Sequence, residues 1–288
     1  VYERIYKGPG ISGKQWLGTL GNHDYGGFMF TSGWDTAISY TWAKFGWNQN
    51  GGENGRWMTP ALYYSAEARY TDFSVEYFFL DSNVFDAYDQ DLDQWHNLCS
   101  RLHNYPGATC GALGPASTDE CPMWFKKLWD AEVIWLRNNL AKSIADWQIV
   151  VTHFPPEHGT ETWKSLTEEF GVDLMMTAHR HIQEVHGQHD KNNMLRPTTY
   201  VVTGGGGGIT SEGPPQADGQ DDQYGFMDMT LSKHELMITA ISHGGQIRST
   251  TCVLQRHKGG EMAELSGTSL CQGIPFGTQP LVSKPIFT

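Results

Sequence analysis

Residues 16–27 have the sequence "WLGTLGNHDYGG", in which a short apolar run gives way to Gly-Asn-His-Asp and then to more glycine. An apolar segment that ends in turn-forming residues is typical of a buried strand running into a loop. Asn, Asp and Gly are common in turns, so this stretch alone is also compatible with an ordinary loop. The rest of the sequence decides between the two interpretations.

The same arrangement follows two later strands. The apolar run "QIVVT" is followed by His153, and the run "VDLMMTA" is followed by His179 and His181. A third run, "TTYVVT", leads into the glycines at 204–208. Because α/β sheets place their ligand sites at the carboxyl ends of strands, this pattern predicts an α/β fold with a site built from these turns.

Other segments have clear periodicity. Residues 56–85 carry aromatic and β-branched runs that predict two or three strands, and residues 123–147 have apolar side chains at the spacing of an amphipathic helix. Residues 224–254 alternate in the way an antiparallel hairpin does. We expect one domain over residues 1–256 and a loosely structured tail over 257–288.

Composition narrows the classes of function. The net charge of -12 disfavours binding to a nucleic-acid duplex, which normally requires a basic face. The chain has 12 His against 20 Lys plus Arg, so a metal held by imidazoles is the obvious source of positive charge for an anionic substrate. No apolar run approaches 18 residues, and no membrane span is expected.

None of the five cysteines forms a C-x-x-C motif, and this argues against a structural zinc site. Cys99, Cys110 and Cys121 fall in a stretch rich in Gly, Pro and Ser, the kind of loop that a disulfide would hold together. We therefore expect a secreted or cell-surface protein, with the pairing of the cysteines left open.

Four residues at the predicted strand ends have the chemistry of metal ligands: Asn22, His153, His179 and His181. A single histidine on a loop is usually only a surface residue, but histidines at two strand ends and an Asn-His at a third favour a metal site. Amide oxygen and imidazole nitrogen suit zinc, iron or manganese better than calcium. Such metals lower the pKa of a bound water and hold the attacked and leaving oxygens.

Six motifs in this order resemble a known family. They are "LGNHDYGG", "RWMTPALYY", "FFLDS", "THFPPEHG", "FGVDLMMTAHRHIQEV" and "YVVTGGGGG". Over most of residues 1–256 they are similar to the calcineurin-like metallophosphoesterases, and within them to the small purple acid phosphatases of the tartrate-resistant type. The resemblance implies a four-layer α/β/β/α sandwich, with two mixed sheets flanked by helices.

The resemblance also implies a dinuclear metal centre of iron with iron, zinc or manganese. By the matching positions of the motifs, Asn22, His153 and His179 would bind one metal, and His181 would bind the other.

The motifs further imply that His23 and His158 face the substrate, where they position the phosphoryl group and help to protonate the leaving oxygen. A metal-bound hydroxide would attack a phosphate monoester in line, as in an acid phosphatase. The implied substrates are small phosphomonoesters or phosphoproteins.

The sequence departs from the family pattern in two ways. Ala178 stands where the family has the glycine of its G-H-x-H motif. No counterpart of the family's first two motifs, which supply a bridging Asp, a second Asp and a Tyr, occurs upstream of Trp16. We therefore expect an additional N-terminal segment that carries the first strands, either continuous with Val1 or cleaved and still associated.

Two alternatives remain open. The first is a non-catalytic structural or surface-anchoring protein built on the same fold. The missing carboxylates and Ala178 would be compatible with this alternative. The second is a phosphodiesterase or nucleotide hydrolase of the same superfamily.

Overall fold

The computed structural model describes residues 2–26, 34–42, 56–111, 113–206, 214–219, 223–256 and 271. The chain divides into two compact units, Val1–Tyr64 with Phe79–Asp130, and Ser65–Phe78 with Ala131–Thr288. The predicted single domain over 1–256 stays a prediction, and the predicted tail lies outside the described residues except for Cys271.

The described residues form four α-helices and eleven strands. The α-helices are α1 (Tyr2–Ile5), α2 (Thr36–Trp42), α3 (Cys121–Lys142) and α4 (Thr160–Phe170). The strands are β1 (Trp16–Leu17), β2 (Trp57–Met58), β3 (Tyr64–Arg69), β4 (Ser74–Phe79), β5 (Trp147–Val151), β6 (Leu174–Thr177), β7 (Gln183–His186), β8 (Thr199–Thr203), β9 (Gly225–Leu231), β10 (Glu235–Ser242) and β11 (Ile247–Leu254). None of the helices in the described part of the chain combines the length and the apolar character that a bilayer span requires.

The first unit is built around an aromatic core. Its short strands β1 and β2 are parallel, and Trp16 pairs with Trp57. Tyr25 stacks on Trp34 with ring centroids 4.9 Å apart and meets Phe125 edge-on at 5.0 Å. Because Tyr25 belongs to the Gly-Asn-His-Asp-Tyr turn, this packing anchors the turn in the core.

A six-stranded sheet dominates the second unit, with the strand order β3-β4-β5-β6-β8-β7. Strands β5, β6 and β8 are mutually parallel, with Val151 opposite Met176 and Thr177 opposite Val202. Parallel strands are usually covered on both faces, and β5 and β8 are accordingly buried at all but their last residue. The carboxyl ends of these three strands therefore lie at one edge of the sheet.

The second sheet of this unit is an antiparallel meander in the order β11-β10-β9. Its buried side chains pack against those of the six-stranded sheet in a single apolar cluster. The cluster contains Val75, Trp147, Ile149, Leu174, Val185, Val201, Leu236, Ile238 and Val253. Residues 224–254, predicted as a hairpin, thus form three strands, since a third strand widens the apolar face that the larger sheet can cover.

The predicted α/β class is confirmed, with three sheets and four α-helices in the described residues. The helix expected over residues 123–147 is α3, which ends earlier, at Lys142. Trp147 begins strand β5 instead, because its fully buried side chain belongs to the cluster between the two sheets.

Two disulfides join the cysteines. One is Cys99–Cys121 in the first unit and the other is Cys252–Cys271 in the second, with Cα–Cα distances of 5.5 and 5.8 Å. The expected disulfide in the loop of residues 99–121 is therefore confirmed, and it leaves Cys110 as a buried cysteine outside both bridges.

The second unit contains a buried carboxyl group, that of Asp173. The carboxylate of Asp173 accepts the backbone N–H groups of Gln148 and Arg256, at 2.8 and 2.7 Å. The Arg256 guanidinium donates to the Val172 carbonyl at 2.9 Å and to the Thr198 hydroxyl. Burial raises the pKa of the Asp173 carboxyl to about 7.

Because of the raised pKa of Asp173, we expect the free energy of unfolding to depend on pH. The pKa of this carboxyl is about 3.8 in the unfolded chain and about 7 in the folded one. Between these two pH values the folded state binds the proton more strongly than the unfolded state does. The free energy of unfolding therefore falls as the pH rises from about 4 to about 7. The expected loss is on the order of 4 kcal/mol, since one pKa unit corresponds to about 1.4 kcal/mol. Urea unfolding at several pH values measures it, and Asp173→Asn should remove this part of the slope. An identical slope in both proteins would contradict the assignment.

Candidate metal centre

Three parallel strands deliver the predicted histidines and the glycine loop to one edge of the six-stranded sheet. His153 is two residues beyond the end of β5, His179 is two residues beyond β6, and Gly204 follows β8 directly. A backbone hydrogen bond from the Ala178 N–H to the His153 carbonyl, 2.9 Å long, joins the first two loops. The expectation that these turns share an edge is met within the second unit.

His153 and His179 lie side by side. The Nε2 atom of His153 is 3.3 Å from the Nδ1 atom of His179, and the ring planes are inclined at 80°. Two nitrogens that bind one metal ion at about 2.1 Å are separated by about 3.0 to 3.4 Å at the usual coordination angles. The pair therefore fits two ligands of one metal ion.

The backbone at His179 is held in an unusual conformation. Its φ of 60° lies in the left-handed region, whereas Ala178, which replaces the family's glycine, is outside that region. Left-handed backbone at a residue other than glycine costs of order 1 kcal/mol and persists where the surroundings enforce it. The Phe154 ring, whose centroid is 4.1 Å from that of His179, is one such constraint. Ala178 therefore does not itself require left-handed backbone.

His158 is the next histidine in space. Its ring centroid is 6.0 Å from that of His179, and its backbone N–H donates to the Pro155 carbonyl at 3.0 Å. Burial lowers the pKa of the imidazole, and the Arg180 charge acts in the same direction against the attraction of Glu157. A lowered pKa favours the neutral ring and makes the protonated ring a readier proton donor.

Arg180 links three segments around these histidines. Its Nη1 atom is 2.8 Å from the Glu157 carboxylate, and its Nη2 atom is 2.6 Å from that of Glu184. The Nε2 atom of His186 lies 3.0 Å from the same Glu184 carboxylate. The arginine charge is therefore balanced by two carboxylates.

In the first unit, residues Asn22–Tyr25 form a single turn of 3-10 helix. The Asp24 carboxylate accepts the Gly21 N–H at 2.8 Å, and the Tyr25 hydroxyl donates to Asp81 at 2.8 Å. Burial raises the pKa of the Asp81 carboxyl to about 6. Asp24 thus caps the loop, and the exposed ring of His23 projects from a fixed turn.

The carboxamide of Asn22 is oriented by a buried carboxylate. Its Nδ2 group donates to Asp86 at 3.0 Å, and its Oδ1 atom accepts the His23 N–H at 3.1 Å. Only the NH₂ end of an amide can donate to a carboxylate, so Asp86 decides which end of the group is the oxygen. A metal ion requires that oxygen end.

Asp86→Ala is expected to lower the free energy of unfolding by about 1–3 kcal/mol, because the buried Asn22 amide loses its charged acceptor. Asp91→Ala is the matched control, since the Asp91 side chain is 73% exposed and should cost less than about 0.5 kcal/mol. Denaturant titration of the two variants measures the difference. Equal losses would argue against the orienting contact.

The predicted site residues divide between the two units. Asn22 and His23 lie in the first, and the four predicted histidines after residue 150 lie in the second. There, His153, His158 and His179 are brought together, while His181 is half-buried two residues further on. Within the described ranges, no group of three or more His, Cys, Asp or Glu side chains is arranged to hold a metal ion. The pair of His153 and His179 is therefore a partial ligand set.

Sequence reasoning missed Asp86 and the role of Arg180. Asp86 is 64 residues from Asn22 in sequence, and no local pattern marks it. Arg180 stands inside the H-x-H motif, and a charged residue between two predicted ligands was the signal in the sequence that could have pointed to it.

The chain also matches the model of a known family. The calcineurin-like phosphoesterase family model matches residues 2–183, well over half of the chain, and all of the predicted site residues fall in that range. The chain belongs to the calcineurin-like phosphoesterase family. The resemblance drawn from the six sequence motifs is thereby confirmed at the level of the calcineurin-like family, and the likeness to the small purple acid phosphatases stays a prediction. No curated protein matches the chain.

Two solved structures are similar to the chain. GAP50, the anchor in the inner membrane complex of Plasmodium, aligns with a TM-score of 0.56 and 16% identity over 89% of this chain and 71% of that one. The purple acid phosphatase PPD1 from seeds of yellow lupin (Lupinus luteus) aligns with a TM-score of 0.41 and 17% identity over 83% and 38%. The GAP50 alignment supports the phosphoesterase fold for this member of the family.

Proposed function

We propose that this phosphoesterase family member hydrolyses phosphate monoesters with the aid of bound metal ions. The observation that carries the proposal is the 3.3 Å separation of the His153 Nε2 and His179 Nδ1 atoms at the carboxyl ends of two parallel strands. Two imidazole nitrogens that face each other so closely repel unless a proton or a metal ion lies between them. In a metallophosphoesterase, the metal ion is the natural occupant.

The proposed ligands of the first metal are His153 and His179, with the Asn22 amide oxygen as the predicted third, and His181 serves the second. Imidazole and amide donors suit iron, zinc or manganese, and we propose iron paired with one of these three metals. When bound, such metals acidify water and neutralise the charge of the phosphoryl group.

His158 and His23 are the proposed substrate-facing groups. Burial lowers the pKa of His158, so the neutral ring donates a hydrogen bond to a phosphoryl oxygen, and the protonated ring gives its proton more readily to a leaving-group oxygen. Phe154, buried beneath His158 and His179 with centroid distances of 5.0 and 4.1 Å, keeps water from one side of both rings. These residues orient the substrate and deliver the proton.

The electrostatics support a metal as the source of positive charge. The chain carries a net charge of -12, and Arg180, the cation between the two histidines of the H-x-H motif, is paired with two carboxylates. A phosphate monoester is a dianion near neutral pH and needs an opposing charge in the site. Bound metal ions supply it.

Metal analysis and turnover together test the proposal. We expect about two metal ions per chain after reconstitution with iron and zinc or manganese, and hydrolysis of p-nitrophenyl phosphate. Hydrolysis of bis(p-nitrophenyl) phosphate alone would replace the monoesterase proposal by a phosphodiesterase. A reconstituted chain that retains no metal and hydrolyses neither ester would overturn both.

A non-catalytic anchoring protein is the second candidate. It is favoured by the structural likeness to GAP50, itself an anchor, and by the partial ligand set among the described residues. An empty or single-metal chain without turnover would select it.

We further propose a secretory or cell-surface location, which the two disulfides support because such bonds persist in oxidising compartments. The proposed substrates are small phosphomonoesters or phosphoproteins. Intact-mass analysis of the native protein tests the location through its oxidised cysteines and identifies any associated N-terminal fragment.

A further inference from the structure

The Arg180 side chain is placed where it can set the spacing of the histidine-bearing loops. Its two Nη groups bind carboxylates on different segments, Glu157 on the loop after β5 and Glu184 on β7, at 2.8 and 2.6 Å. Glu157 directly precedes His158 in the sequence. The guanidinium thus ties the loop of His158 to the loop of His179.

The backbone of Arg180 is fixed independently of its side chain. The Arg180 N–H donates to the Ala178 carbonyl at 2.7 Å, and the Arg180 carbonyl accepts the Ile182 N–H at 2.8 Å. A Cβ atom on Gly204 would lie only 1.9 Å from the Arg180 carbonyl oxygen, so the end of β8 packs directly on this turn. The side chain therefore projects from a rigid base.

The ion pairs are suited to positioning rather than to stabilisation. The side chains of Arg180, Glu157 and Glu184 are 40%, 31% and 26% exposed. Pairs of this exposure contribute about 0.2–1 kcal/mol each to stability. The planar fork of a guanidinium nevertheless fixes the separation of two carboxylates, which a lysine ammonium cannot do.

We propose that Arg180 is a positioning residue, which holds the loop of His158 at a fixed distance from His179 and His181 through Glu157 and Glu184. The inference deepens the proposed function and rests on it for its catalytic consequence. Its structural part, the coupling of the two loops, holds in the metal-free chain as well.

The test uses the full 288-residue chain with Arg180→Met, Arg180→Lys and Glu157→Gln. Arg137→Met is the matched control, because Arg137 also pairs with a carboxylate, Glu169, on the surface of the same unit. The readouts are amide hydrogen exchange of the metal-free protein, Mn²⁺ affinity by calorimetry, and kcat and KM for p-nitrophenyl phosphate.

Arg180→Met is expected to raise amide exchange several-fold in residues 153–159 and 178–184, with a free energy of unfolding close to that of Arg137→Met. The kcat at saturating Mn²⁺ should fall about 10–100-fold, as is usual when a group that orients a ligand is lost. Arg180→Lys should recover only part of the loss. Glu157→Gln should lower kcat by a similar factor. The double variant that combines Arg180→Met with Glu157→Gln should have the same kcat as either single variant.

Exchange in residues 153–159 that matches the Arg137→Met control would overturn the proposal, whatever the metal content. Additive losses of kcat in Glu157→Gln and Arg180→Met would overturn it too, since they would mean that the two residues act separately. A wild-type chain without turnover would instead refute the proposed function, and the exchange measurement would still decide the role of Arg180. Should Arg180→Met fail to fold, Arg180→Lys and Glu157→Gln carry the same comparison.

Discussion

Replacing His153 by alanine is expected to lower kcat/KM for p-nitrophenyl phosphate by more than about 1000-fold, equivalent to about 4 kcal/mol of transition-state stabilisation. The variant removes one of two ring nitrogens that lie 3.3 Å apart, and a single imidazole cannot hold a metal ion in the same way. The bound metal, measured by elemental mass spectrometry after dialysis, should fall in parallel. Stability should change little, because the His153 ring is only half-buried.

His189→Ala is the matched control for this variant. His189 is an exposed histidine in the same unit, in the turn that follows β7, and its removal should leave turnover and metal content unchanged. Wild-type turnover in His153→Ala would show that this nitrogen pair is not the catalytic metal site.

Gly204→Ala is expected to reduce turnover about 100-fold or more and to destabilise the chain by about 3 kcal/mol. A Cβ atom at this position would lie 1.9 Å from the Arg180 carbonyl oxygen and 3.2 Å from the His181 Cα atom. These are backbone atoms of the turn that carries His179 and His181, so they cannot rotate away as a flexible side chain would. A displacement of about 1 Å at a reacting group can cost about 100-fold in rate, and overpacking of this kind costs about 1–3 kcal/mol or more.

Gly206→Ala provides the control for the glycine loop. A Cβ atom at Gly206 would meet nothing within 4 Å, so this variant should retain both stability and turnover. Thermal unfolding and steady-state kinetics on the two variants separate the steric effect from a general requirement for flexible glycines. Equal losses in both variants would contradict the steric explanation.

The sequence was a good guide to local structure at the strand ends. The apolar runs before His153 and His179 are strands β5 and β6, and the helix expected from residue 123 is present as α3. These elements follow from side-chain periodicity and turn-forming residues, which act over a few residues of chain. The order of the six motifs also sufficed to place the chain in its family.

Contacts between distant segments could not be obtained in this way. The pairing of Cys99 with Cys121 was one of several alternatives among five cysteines, and the hydrogen bond from Asn22 to Asp86 spans 64 residues without any local signal. The extent of the second sheet was also missed, since a hairpin pattern does not reveal whether a third strand joins it.

From the sequence alone, Asn22, His153, His179 and His181 were predicted as metal ligands, and His153 and His179 were correctly expected to follow buried strands. The tertiary structure decided that β6 lies directly between β5 and β8, and therefore that His153, His179 and Gly204 meet at one edge with two ring nitrogens 3.3 Å apart. It also decided that Arg180 binds Glu157 and Glu184. The physical reason is that strand order and crossover direction depend on how the apolar faces of whole sheets are buried, which no short stretch of sequence encodes.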